Sequence, residues 1–189
     1  MSENNNSKYV PGLEGIIGAQ TAISHVDGAN GRLIYQGYVI ADLAQDMSFE
    51  EVAYLLWQGR LPKKSELDSL TMELAANRGL TQAATISLDA LPSNTDPMDV
   101  LRSVVSVQGV EHRLAKPTAP LAIHATASFP TILATFYRRQ QGLEPVAPRR
   151  ELGHAANYLY MMNGTQASPE IVRALNTYLV LLADHGMNA

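Results

Sequence analysis

The residues with the strongest claim to chemistry lie in the final stretch, Ser168-Pro-Glu-Ile-Val-Arg-Ala-Leu-Asn-Thr-Tyr-Leu-Val-Leu-Leu-Ala-Asp-His-Gly-Met-Asn-Ala189. Ile171, Leu175, Tyr178 and Leu182 recur at steps of four and three, and the next step lands on His185. The spacing predicts a buried helical stripe that ends in an imidazole. A helix stopping near Gly186 would set its negative end beside that ring and favour the protonated form, a good donor to an anionic ligand. Taken from this stretch alone, a satisfied core or capping histidine outweighs a ligand-binding one.

The element that must position His185 begins as helices do. Ser168 can cap, Pro169 suits the first helical position, and Glu170 complements the positive end of the dipole. Upstream, residues 1–12 read as a mobile lead-in ended by Pro11-Gly12. From Gly15 to Ile40, β-forming residues alternate with turn signals at Asp27-Gly28 and Asn30-Gly31, which predicts a small antiparallel sheet with a hairpin near residues 27–31. His25 reads as a strand or turn residue.

Everything beyond Asp42 reads as helix. Ser48 with Glu51 forms a capping-box pattern, and Gly59 followed by Leu61-Pro62 closes that helix. Further helices are predicted over residues 65–78, 81–90, 96–110, 117–142 and 151–163, with Pro130 expected to kink or interrupt the longest. Trp57 and the stripe Tyr158, Tyr160, Met161 and Met162 read as packing. His112, in a charged connector, and His124 lack ligand-like spacing to a carboxylate or second histidine, and His154 has no partner visible in sequence.

Composition narrows the classes. The 189 residues suffice for one domain with its own core, and 46% hydrophobic with 17% charged residues suits a soluble globular protein with apolar surface to spare for an oligomer interface. A net charge of −4 without basic runs argues against nucleic acid. With no cysteine there is no disulfide framework or thiol nucleophile. The polar start lacks a secretory h-region, and the apolar run 179–183 is too short for a bilayer, so a cytoplasmic protein without a membrane partner is expected. No phosphate loop, dinucleotide fingerprint, zinc motif or serine elbow is present.

Three blocks carry a resemblance. Leu182-Ala-Asp-His-Gly-Met-Asn-Ala189 resembles the oxaloacetate-binding histidine segment of the citrate synthase family. Gly12-Leu-Glu-Gly-Ile-Ile, Thr21-Ala-Ile-Ser, Val26-Asp-Gly and Gly31-Arg-Leu-Ile-Tyr-Gln-Gly-Tyr are similar to the N-terminal signature of its bacterial and archaeal type, and Ser48–Pro62 to its next block. The resemblance implies an all-α, multi-helical large domain with a small N-terminal antiparallel sheet, of which residues 13–189 would be the N-terminal part. It implies an acyltransferase condensing acetyl-CoA with oxaloacetate to citrate and CoA, needing no metal or other cofactor. His185, with Asn188 close behind, would bind oxaloacetate, and apolar helices would join two copies in a homodimer.

The family's Gly-Pro-Leu-His-Gly block and its later catalytic aspartate and arginines are not found in these residues. No catalytic residue is therefore assigned, and the 189-residue chain alone is expected to be inactive. Two alternatives stand beside this reading. One is a 2-methylcitrate synthase using propionyl-CoA; the other is a non-catalytic or split subunit that pairs with a separate C-terminal half.

Overall fold

The computed structural model describes residues 20–111, 118–184 and 186. The lead-in expected over residues 1–12, the start of the predicted strand region, His112, His185 and Asn188 lie outside the described residues.

The chain enters as a three-stranded antiparallel sheet in the order β1 (Ser24–Asp27), β2 (Arg32–Tyr35), β3 (Tyr38–Val39). Asp27 closes the first turn by accepting from the Asn30 side chain at 2.7 Å. The second turn passes through Gln36 (φ 47°) and Gly37 (φ 89°), the left-handed pair that a two-residue hairpin demands. Residue alternation aims Tyr35 inward, where it is fully buried with Leu43, Val52, Leu55 and Val180.

Eight helices follow among the described residues: α1 (Ile40–Asp46), α2 (Phe49–Gln58), α3 (Lys64–Ala76), α4 (Gln82–Ala90), α5 (Pro97–Glu111), α6 (Ala119–Gln140), α7 (His154–Asn163) and α8 (Pro169–Leu181). The predicted all-α architecture with a β appendage is thus the observed one. The capping box at Ser48 is complete: Glu51 N–H donates to Ser48 Oγ at 3.2 Å, and Ser48 N–H donates to Glu51 Oε2 at 2.7 Å. Thr81 caps α4 in the same way, accepting from Ala84 N–H at 3.1 Å. Two further core clusters hold the bundle, one joining α4, α5 and α6 through Leu88, Val104, Ile132 and Phe136, the other joining α3 to α6 through Leu70, Leu74 and Ala127.

Pro130 neither breaks α6 nor shortens it, because the turn it weakens lies between Ala127 and Ile132, both buried against neighbouring helices. α6 has the length and apolarity of a membrane span, but half of that stretch is buried against the rest of the protein, as in a core helix.

The stripe predicted on α8 is corrected. Ile171, Tyr178 and Leu182 are 54%, 59% and 56% exposed, and the inward face carries Val180 together with Asn176 and Thr177. Polar docking selects this face. The Asn176 amide donates to the Met47 carbonyl at 2.9 Å and accepts from the Phe49 N–H at 2.8 Å, while Thr177 Oγ1 donates to the Ala44 carbonyl at 3.3 Å. Those backbone groups belong to the end of α1 and the start of α2, where helices leave donors and acceptors unpaired. The helix also stops at Leu181, short of the end expected near Gly186.

Candidate functional site

The predicted ligand residue His185 and its neighbour Asn188 lie outside the described residues, so the site is built from what flanks them: the exit of α8 and the groups that hold it. Tyr35, on β2, reaches this exit with its hydroxyl. It accepts from the Asp184 N–H at 3.1 Å, and its one proton goes to the Asp184 carbonyl at 2.9 Å, with the Leu181 carbonyl beside it at 3.2 Å. Burial pushes the phenol pKa up, and the hydrogen bond to Asp184 pulls against that shift.

The Asp184 side chain is fixed as well. Its Oδ2 accepts from Ser24 Oγ at 2.5 Å and from the Gly186 N–H at 3.1 Å. Backbone and carboxylate of one residue are thus tied to two neighbouring strands, and the carboxylate spans to the residue beyond position 185. Sequence reasoning singled out neither Tyr35 nor Asp184 for this contact; the signal that could have found it is a Tyr, with its hydroxyl, at a core position where Phe would pack as well.

A cavity of about 490 Å³ opens beside Leu182 and Ala183, walled among others by Phe49, Phe129, Leu133 and Tyr158. His154 contributes to the same wall. Its ring stacks on Phe49 with centroids 4.7 Å apart, and its backbone N–H donates to Glu50 Oε1 at 2.7 Å. Burial holds the imidazole pKa down to about 4, with a smaller push from the charge of Arg78, so the ring is neutral at ordinary pH. Arg78 is itself buried, donating to the Arg149 and Leu152 carbonyls at 2.6 and 2.8 Å. His154 therefore has partners that the sequence did not reveal, and they belong to packing. His124 sits with Gln108, their side-chain nitrogens 3.3 Å apart. Among the described residues no three of His, Asp and Glu gather where a metal could bind.

Residues 12–189 match the family model described as "Citrate synthase, C-terminal domain". The chain belongs to the citrate synthase family. It is 40% identical to the citrate synthase of Haloferax volcanii, over 94% of this chain and 49% of that one. It is 39% identical to the 2-methylcitrate synthase of Mycobacterium tuberculosis, over 94% of this chain and 46% of that one. The crystal structure of citrate synthase from Thermotoga maritima superposes with a TM-score of 0.83 at 38% identity, covering 95% of this chain and 48% of that one. The chain spans about half the length of the relatives it matches.

Proposed function

We propose that this chain is the N-terminal part of a citrate synthase, the part that carries the oxaloacetate-orienting histidine. In the complete enzyme a base removes a proton alpha to the thioester carbonyl of acetyl-CoA, and the resulting carbon nucleophile attacks the keto carbon of oxaloacetate. Hydrolysis of the thioester then releases citrate and CoA. His185 donates to the keto oxygen, polarising the carbonyl and fixing its orientation for attack, with Asn188 beside the same substrate. Acyl-CoA and oxaloacetate are substrates, and the chemistry calls for no metal or redox cofactor.

The observation that carries this reading is the unbroken family match over residues 12–189, which extends through the segment holding His185. We further assign the complete enzyme to the cytoplasm, as a homodimer formed through apolar helices. Met98 on α5 and Tyr137 on α6, 69% and 41% exposed, offer apolar surface for that contact. Sedimentation of the complete enzyme as a monomer would overturn the dimer.

The 189-residue chain alone is expected to form no citrate, and a chain completed with the second half of a family member is expected to regain turnover. In that assembly His185→Ala should lower kcat about 10²- to 10³-fold, the usual cost of losing a donor aimed at developing charge. Unchanged turnover in the variant would sink the assignment. Near-equal identity to a citrate synthase and a 2-methylcitrate synthase, 40% and 39%, keeps propionyl-CoA as a second acyl donor. Rates on both thioesters separate the two, since one methylene contributes only about 1–3 kcal/mol to selectivity.

A further inference from the structure

We infer that Tyr35 is a positioning residue for the substrate histidine, acting with Ser24 to anchor the backbone on either side of position 185. The proposal rests on the reading of His185 as the oxaloacetate ligand. It is carried by geometry in the described residues. The phenol takes both backbone hydrogen-bonding groups of Asp184, the residue before the histidine, at 3.1 and 2.9 Å. The Asp184 carboxylate then takes the Gly186 N–H, the residue after it, at 3.1 Å, while Ser24 holds the same oxygen at 2.5 Å.

The anchor is stiff where it needs to be. Tyr35 is fully buried among Leu43, Val52, Leu55 and Val180, so its ring has little freedom to swing with the loop. Ser24 and Tyr35 are direct cross-strand partners in the β1–β2 register, so both contacts come from one rung of the sheet. α8 ends at Leu181, Leu182 and Ala183 still bond back to it, and from Asp184 onward the described chain is tied to the sheet by the Tyr35 and Ser24 bonds. A short linker between a helix end and a ligand-binding side chain loses its aim unless something outside the helix fixes it, and a misplacement of about 1 Å can cost 10²-fold in rate.

The test uses Tyr35→Phe, which keeps the buried ring and removes the hydroxyl, and Ser24→Ala, with Ser24→Thr restoring a hydroxyl. In the 189-residue chain, backbone ¹⁵N relaxation is expected to show order parameters at Asp184 and Gly186 falling from about 0.85 to below about 0.6 in Tyr35→Phe, with Leu55 and Val180 unchanged. Ser24→Ala should show the same local pattern more weakly and Ser24→Thr should reverse it, which keeps the test open if Tyr35→Phe does not fold. In the chain completed with the second half, Tyr35→Phe should raise KM for oxaloacetate about tenfold and leave KM for the thioester within twofold. Order parameters unchanged at Asp184 and Gly186, or lowered equally along all of α8, would overturn the anchor. His185→Ala tests the substrate reading separately: a variant with normal kcat and normal KM for oxaloacetate would remove that reading while leaving the rigidity result intact.

Discussion

His154 shows how a residue's role is decided by what lies across from it. In sequence it is an isolated imidazole at the head of a helix; in the fold it lies 5% exposed against Phe49, beside Glu50 and near buried Arg78. A base whose folded pKa is about 4 against 6.5 when unfolded binds its proton more weakly in the native state. The unfolded chain then takes up the extra proton as pH falls below about 6.5, and the native state loses stability until pH passes below about 4, where the loss levels off. The expected outcome is that His154→Phe, which keeps the stacked ring, is about 2–3 kcal/mol less acid-sensitive than the parent between pH 7 and 4.5 in urea unfolding. Equal pH dependence of the two proteins would show that the ring is not buried as described. Charge count and spacing could not foretell this environment, because Phe49 and Glu50 lie about a hundred positions upstream.

At the scale of elements, what is written locally was legible and what depends on docking was not. Ser48 and Glu51 stand three apart and close their capping box within four residues, so sequence sufficed to place the start of α2. Ser48→Ala should cost about 1 kcal/mol in thermal or urea unfolding, since it leaves the Glu51 N–H without its acceptor. A loss below a few tenths of a kcal/mol would mean that the cap is replaced by water at no cost. α8 is the counter-case. Its apolar residues include Ile171, Val172, Leu175, Tyr178, Leu179, Val180, Leu181 and Leu182, enough to draw more than one stripe at helical spacing. Asn176 and Thr177 choose between them by reaching unpaired groups at the ends of α1 and α2, and no periodicity in α8 itself encodes where those ends lie.

For the 189-residue chain as a whole, the consequence is an apolar face left open by Ile171, Tyr178 and Leu182. Exposed patches of this kind favour association. The triple variant Ile171→Lys, Tyr178→Lys and Leu182→Lys is expected to keep unfolding stability within about 0.5 kcal/mol per site and to lower self-association of the 189-residue chain in light scattering. A variant that unfolds would show instead that this face is part of the core. The fold class and helix order were readable from the sequence because they repeat local signals many times over. The tie between the sheet and the exit of α8 was not, because it joins residues 149 apart.

That separation sets an order of assembly. Closing a loop of that length costs chain entropy before the contact returns anything, so the bond from the phenol to Asp184 is expected to form after the intervening helices have packed. Stopped-flow measurements on Tyr35→Phe should therefore show faster unfolding with little change in refolding rate, the signature of a contact absent from the transition state. The exit of α8 at Asp184 is then expected to dock late in folding and to release early in unfolding.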